Sequence, residues 1–169
     1  MVDPETHETL PVGEEGLMLI KGPNVMQGYL GQPEKTAEVL TDGWYNTGDI
    51  ARIDQRGFVY ITGRLSRFSK IAGEMVPHGA VEEALQQATG SEETCVAVLS
   101  MEDNVKGEQL AVCFTDEAGS PEQLVAKLRE LDLPNLWIPR ATNFFHIPEM
   151  PLLGTGKLDL CALQALVKS

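Results

Sequence analysis

The chain has 169 residues, of which 43% are hydrophobic, and a formal net charge of −12. This length holds one ordinary domain, or a small domain with an attached subdomain, and the apolar residues are spread as in a globular protein. Neither half of the chain is basic, which disfavours a nucleic-acid partner because such binding relies on neutralising phosphates. No apolar run is long enough to span a bilayer, and the first residues lack the basic and apolar regions of a signal peptide.

The three cysteines are Cys95, Cys113 and Cys161, and each lies in an apolar run away from the others. This dispersal is typical of small core residues in a reducing compartment, and it disfavours a metal site or a nucleophile. The three histidines are equally dispersed. The sequence therefore predicts no metal ligands.

The first 62 residues have the pattern of a β-rich subdomain. Residues 16–21 form a predicted strand, and residues 33–40 a short helix with a proline in its first turn. Two apolar runs follow, at residues 50–53 and 58–62, and the connector 54–57 ends in glycine. Short apolar runs joined by such a connector predict a β-hairpin.

Asp49 precedes this hairpin and Arg64 follows it, so both side chains are expected at the same edge. A carboxylate can accept hydrogen bonds from both hydroxyls of a ribose, and a guanidinium can reach a hydroxyl or a phosphate as a rigid fork. The alternatives are that Asp49 only forms a turn, or that the two make an exposed salt bridge of little consequence for stability.

From Gly63 onward the pattern alternates between helices and strands. Residues 80–88 have the apolar spacing of an amphipathic helix, closed by Gly90. Residues 94–100 and 110–115 form two predicted antiparallel strands. A capping box at residues 120–123 begins a second helix, which is predicted to stop at Leu133-Pro134.

A third strand at residues 143–147 ends at a proline, a loop without periodicity covers residues 149–156, and a last amphipathic helix covers residues 159–167. The predicted fold class is α+β. A small antiparallel β subdomain at residues 1–62 is followed by a compact α+β domain at residues 63–169, with helices packed on an antiparallel sheet.

Three segments stand out as motifs: Gly-Trp-Tyr-Asn-Thr-Gly-Asp at residues 43–49, the Gly-Arg to Gly stretch at residues 63–73, and Pro-Leu-Leu-Gly-Thr-Gly-Lys at residues 151–157. In this order they resemble sequence motifs of the adenylate-forming enzymes, which include acyl-CoA synthetases, peptide-synthetase adenylation domains and luciferases. The resemblance extends over essentially the whole chain. It implies that residues 1–62 end the large adenylation domain, that residues 63–169 form the mobile C-terminal lid, and that the phosphate loop lies upstream.

Within the family, residues 68–75 and 152–157 look most like the bacterial branch that links acyl-[acyl-carrier-protein] synthetase to 2-acylglycerophosphoethanolamine acyltransferase. This implies a ligase that uses ATP, with Mg²⁺, to convert a fatty acid to acyl-AMP and passes the acyl group to the phosphopantetheine thiol of acyl carrier protein. The acyl group would continue to a lysophospholipid through the upstream domain.

The alternatives are a fragment of an ordinary acyl-CoA ligase and a non-catalytic docking module for carrier protein. The branch implies the cytoplasmic face, with inner-membrane association left open, and the chain alone is expected to be inactive.

Lys157 is the predicted catalytic residue. A Walker A loop is excluded, because Pro151 and Leu158 stand where that motif needs glycine and serine or threonine. An ammonium group placed between the attacking carboxylate and the α-phosphate would stabilise the charge that develops there. The alternative is an ordinary solvated loop lysine.

The resemblance also assigns the other site residues. Asp49 and Arg64 grip the ribose, and Ile61 packs on the adenosine unless it is a core residue of its strand. Ser66 stands where the family usually has Asp or Lys as the hinge, with Arg67 as the alternative pivot.

The loop that faces the thiol acceptor completes the predicted site. Its residues are Lys70, Gly73 and Glu74. Ala80 replaces the first acidic residue of the usual pair beyond this loop, whereas Glu82 matches the second.

Overall fold

The computed structural model describes residues 1–168, which fall into two compact units that meet between Ser66 and Arg67. The sequence-based boundary lies slightly earlier, after residue 62. No helix in the described part of the chain is both long enough and apolar enough to cross a membrane.

The first unit contains one antiparallel sheet and one short helix. Its elements are β1 (Glu15–Ile20), α1 (Pro33–Val39), β2 (Leu40–Thr41), β3 (Trp44–Ile53) and β4 (Val59–Arg64). The long strand β3 is central: β1 pairs with one side of it, and β2 and β4 pair with the other.

The predicted hairpin of the first unit is confirmed as β3 and β4. The side chain of Asp54 closes its turn, because Asp54 Oδ1 accepts hydrogen bonds from the backbone N–H groups of Arg56 and Phe58, both at 2.9 Å. Asp49 and Arg64 are directly paired across the two strands.

The second unit is a five-stranded sheet with three helices. Its elements are β5 (Phe68–Ile71), β6 (Glu74–Pro77), α2 (His78–Thr89), β7 (Val96–Asp103), β8 (Gly107–Phe114), α3 (Pro121–Glu130), β9 (Phe144–His146) and α4 (Leu160–Lys168). The strand order is β6-β5-β8-β7, and β9 also pairs with β8.

The sheet of the second unit is covered on both faces. Alternate residues of β7 and β8, such as Val98 and Val112, pack with α2 and α3 in one core cluster. Their neighbours, such as Ala97 and Ala111, pack with Leu163 of α4 in a second cluster. Burial on both faces explains why these strands are continuous apolar runs and do not alternate between apolar and polar residues.

The α+β fold class is confirmed, and the structure differs from the sequence reading in three details. The third strand of the second unit, β9, runs parallel to β8. Helix α3 ends at Glu130, before the predicted stop at Pro134. The stretch predicted as an acceptor loop is a β-hairpin formed by β5 and β6.

The prediction of three core cysteines is correct for two of them. Cys95 and Cys113 are buried, and burial raises the pKa of the Cys113 thiol to about 11, which keeps it protonated. Cys161 is exposed. It lies in α4, where Leu163 and Val167 take the buried face, and the helical period turns Cys161 away from them.

Candidate functional site

Asp49 and Arg64 form an ion pair at the open end of the β3–β4 hairpin. Arg64 Nε lies 2.9 Å from Asp49 Oδ1, and Arg64 Nη1 donates to the backbone oxygen of Thr47 at 2.8 Å. Among residues 1–168, Asp49 Oδ2 and Arg64 Nη2 have no hydrogen-bond partner. One carboxylate oxygen and one edge of the guanidinium therefore remain to bind a ligand.

The backbone between Asn46 and Asp49 holds this pair in place. Thr47 Oγ1 donates to the backbone oxygen of Met18 at 2.9 Å and accepts from the backbone N–H of Asp49 at 3.0 Å. Gly48 has φ +71°, a left-handed conformation that a side chain would strain. The Thr-Gly-Asp sequence thus aims the carboxylate of Asp49 toward Arg64.

Two exposed apolar side chains, one on each strand, accompany the pair on the β3–β4 hairpin. Ile61 on β4 is 64% exposed, so it is not part of a core formed by the described residues. Trp44 on β3 is 46% exposed, and the ammonium of Lys21 lies 5.6 Å from the centre of its ring. Both side chains are accessible to a ligand of the first unit.

Lys157 lies on an exposed, tightly closed loop of the second unit. The loop is closed by an isolated bridge between Leu152 and Leu158 and by a hydrogen bond from Leu153 N to Lys157 O of 2.7 Å. No hydrogen bond or ion pair engages the ammonium of Lys157 within the described part of the chain. The amine is therefore solvent-accessible and can approach a charged ligand.

Ser66 and Arg67, the two hinge candidates, have different surroundings. Ser66 is exposed and is the last residue of the first unit. Arg67 Nη2 pairs with Glu82 of α2, and Arg67 Nη1 donates to the oxygen of Val98 at 3.0 Å. Glu82 also accepts from the N–H of Val98 at 2.8 Å. Arg67 is thus fixed to the second unit, which favours Ser66 as the pivot.

Lys70, Gly73 and Glu74 lie together on the β5–β6 hairpin. Lys70 pairs with Met75 across the two strands, and Ala72 and Gly73 form the turn, with φ +52° and +88°. A two-residue turn with positive φ at both positions matches the twist of a hairpin. The candidate acceptor residues are therefore on a defined, short hairpin of the second unit.

A buried polar pair anchors the same hairpin to α2. Ser69 Oγ lies 2.7 Å from His78 Nε2, and the two residues are 0% and 2% exposed. Burial, together with the charge of Arg67, lowers the pKa of His78 to about 4, so the imidazole is neutral at pH 7. His78 Nδ1 is buried and has no hydrogen-bond partner among the described residues.

Within residues 1–168, no group of three or more His, Cys, Asp or Glu side chains could hold a metal ion. The residues best suited to a nucleotide are Asp49 and Arg64, since their unpaired atoms can meet ribose hydroxyls or a phosphate. Lys157 can contribute positive charge where a phosphate reacts.

Three contacts were not foreseen from the sequence: the pairing of Arg67 with Glu82, that of Ser69 with His78, and that of Lys70 with Glu108. The Lys70–Glu108 contact joins residues 38 positions apart. The β5–β6 hairpin that carries two of these contacts did have a local signal. Two short strands of four residues flank Ala72-Gly73, and that pattern predicts a β-hairpin.

No protein-family model matches the chain. Curated relatives do match: the chain is 36% identical over 154 residues to a feruloyl-CoA synthase of an Amycolatopsis species, covering 89% of the chain and 30% of that protein. It is 33% identical over 160 residues to a long-chain-fatty-acid–CoA ligase of Salmonella typhimurium, covering 94% of the chain and 28% of the relative. The chain thus spans about a third of the length of these relatives.

The chain is also similar in fold to solved structures. ATP-bound MatB from Rhodopseudomonas palustris superposes with a TM-score of 0.74 at 27% identity, over 99% of the chain and 33% of that structure. The o-succinylbenzoate CoA synthetase of Bacillus subtilis, in complex with its acyl-adenylate intermediate, gives 0.73 at 26% identity, over 96% and 33%. By sequence and by fold, the chain is homologous to the C-terminal part of adenylate-forming acyl- and aryl-CoA ligases.

Proposed function

We propose that the chain forms part of a ligase that uses ATP to activate a carboxylic acid as acyl-AMP and then transfers the acyl group to a phosphopantetheine thiol. The observation that carries this proposal is the Asp49–Arg64 pair, with 2.9 Å between the paired atoms and a free oxygen and a free nitrogen beside them. This geometry suits the ribose and phosphate of a nucleotide. Ile61 would pack on the adenosine.

In the first half-reaction, a carboxylate oxygen attacks the α-phosphorus of ATP. The new O–P bond forms as the bond to pyrophosphate breaks, and pyrophosphate leaves. Negative charge gathers on the oxygens around the phosphorus, where the ammonium of Lys157 would stabilise it and orient the carboxylate. ATP, with the Mg²⁺ that accompanies it, is the proposed cosubstrate.

In the second half-reaction, a thiolate sulfur attacks the acyl carbon. The C–S bond forms as the acyl C–O bond to the phosphate of AMP breaks, and AMP leaves with that oxygen. Ser66 would be the pivot that turns the second unit between the two half-reactions, and the hairpin with Lys70, Gly73 and Glu74 would face the thiol. Free CoA is the first candidate acceptor, since the relatives are named as a feruloyl-CoA synthase and a long-chain-fatty-acid–CoA ligase.

The narrower proposal is that the thiol belongs to acyl carrier protein, the acid is a fatty acid, and the acyl group continues to a lysophospholipid through another domain. Its support is the likeness of residues 68–75 and 152–157 to that branch of the family. Competition between free CoA and carrier protein for one acyl-adenylate separates the two acceptors.

The proposed function is tested by Arg64→Ala in the complete ligase. Loss of a charged hydrogen-bond donor should raise the KM for ATP about ten- to a hundredfold in ATP–pyrophosphate exchange. Arg56→Ala is the matched control, because it removes the same charge from the tip of the same hairpin, where Arg56 lies 5.2 Å from the ring of Phe58. Equal effects of the two substitutions would contradict the nucleotide role.

A further inference from the structure

The junction between β5 and β8 is an unusually short stretch of pairing. Ile71 and Gly107 are the one residue pair that joins the two strands in the described chain. Next to this pair, the backbone N–H of Lys70 donates to the carboxylate oxygen Oε2 of Glu108. A side chain therefore takes the place of the next backbone acceptor in the ladder.

The carboxylate of Glu108 is itself fixed on both sides. Its other oxygen, Oε1, accepts a hydrogen bond of 2.6 Å from Ser100 Oγ on β7, and the side chain is partly buried. Hydrogen bonds to an ionised acceptor are roughly twice as strong as those between neutral groups. Glu108 thus links β5 to β7 across the strand that lies between them.

The β5–β6 hairpin is held to the rest of the second unit by apolar packing in the first core cluster and by hydrogen bonds. Because apolar packing is non-directional, the hydrogen bonds are what fix the direction of the hairpin. Its other contacts with the rest of the unit include the buried Ser69–His78 pair and a hydrogen bond of 3.1 Å from Ala72 N to Lys106 O. Ser69 and Lys70 are neighbours on β5, so His78 and Glu108 hold consecutive residues of the strand that leads to the turn.

We propose that Glu108 is a positioning residue for transfer of the acyl group to the thiol. Its carboxylate sets the angle at which the β5–β6 hairpin leaves the sheet, and so places Gly73 and Glu74. This inference rests on the proposed function, in which that hairpin faces the thiol. A displacement of about 1 Å at a reacting centre can reduce a rate about a hundredfold, and removal of Glu108 would act on thiol transfer in this way.

The test measures both half-reactions of the complete ligase in three variants. Glu108→Ala should reduce transfer from preformed acyl-adenylate to the thiol about ten- to a hundredfold, while ATP–pyrophosphate exchange stays within about twofold of the wild type. Glu108→Gln keeps an oxygen for the N–H of Lys70 and an amide for Ser100, so it should restore most of the transfer rate. The control is Glu102→Ala, since Glu102 is exposed and lies opposite Glu108 on β7.

Each outcome decides the question. If both half-reactions fall together, if transfer is unchanged, or if Glu108→Gln loses as much as Glu108→Ala, Glu108 is not a positioning residue. If Glu108→Ala does not fold, Ser100→Ala is measured in its place. This substitution removes the hydrogen bond from Ser100 to the carboxylate of Glu108, so it should slow transfer to the thiol and leave ATP–pyrophosphate exchange unchanged. A wild-type ligase that passes no acyl group to any thiol would contradict the proposed function instead.

Discussion

The ion pair between Asp49 and Arg64 contributes little to folding, because the Arg64 side chain is 63% exposed and that of Asp49 is 18% exposed. Pairs of this kind are worth about 0–1 kcal/mol, and salt screens them further. Yet Thr47, Gly48 and the β3–β4 register all serve to hold the two groups together. At the scale of single residues, this arrangement is better suited to binding than to stability.

His78 makes the stability of the second unit depend on pH. Its pKa in the folded chain is about 4, below the ordinary value of 6.5, because the ring is buried and Arg67 lies near. The unfolded chain therefore binds a proton first as the pH falls. The free energy of unfolding should drop by about 2–3 kcal/mol between pH 6.5 and pH 4.

Urea unfolding of the chain across that pH range measures the free energy of unfolding and so tests this prediction. In His78→Gln the other titrating groups are unchanged, so the difference between the two pH profiles isolates the histidine. Parallel profiles for the wild type and the variant would show that the burial of His78 does not couple to protonation.

At the scale of elements, the β5–β6 turn depends on glycine. Gly73 has φ +88° and nothing within 4 Å of an added Cβ, so Gly73→Ala is opposed by backbone strain alone, about 1–2 kcal/mol. Gly79 in α2 also has open space but no positive φ. Gly79→Ala is therefore expected to be neutral or to stabilise the helix by up to about 1 kcal/mol.

Thermal or urea unfolding of the two variants checks this pair of predictions. The substitution is the same and both sites are exposed, so a loss of stability at Gly73 without one at Gly79 reports backbone conformation. A destabilisation of equal size at both positions would argue against the left-handed turn at Gly73.

Elements with local signals could be predicted from the sequence. The β3–β4 hairpin follows from two apolar runs around a glycine-ended connector, and the pairing of Asp49 with Arg64 follows from the hairpin. The parallel pairing of β9 with β8 could not be predicted, because it is chosen by tertiary packing between distant segments. The same is true of Glu108, whose contact with Lys70 leaves no pattern in the intervening residues.

The roles of the site residues were predicted by resemblance, and they stay predictions. Exposure of Lys157 and of Ile61 is a structural finding that agrees with those roles without testing them. Membership of an apolar run was weak evidence for burial. Cys161 shows this, since it lies in the apolar last helix but on the side that the helical period turns away from the core.

At the scale of the whole molecule, the chain joins two units with separate tasks in the proposed ligase. The first carries the nucleotide pair, and the second carries the acceptor hairpin and the loop of Lys157. The chain covers 28% of the Salmonella ligase and 33% of the MatB structure, so each of these proteins is about three times as long as the matched segment. The proposed reaction therefore belongs to the complete protein.

The central claim is that Lys157 supplies charge to the adenylation step. The most direct measurement compares both half-reactions of the complete ligase in Lys157→Ala. ATP–pyrophosphate exchange should fall at least about a hundredfold, as for the loss of a charge-stabilising group, while acyl transfer from preformed acyl-adenylate should stay within a few fold. Equal losses in both half-reactions, or an unchanged exchange rate, would contradict the account.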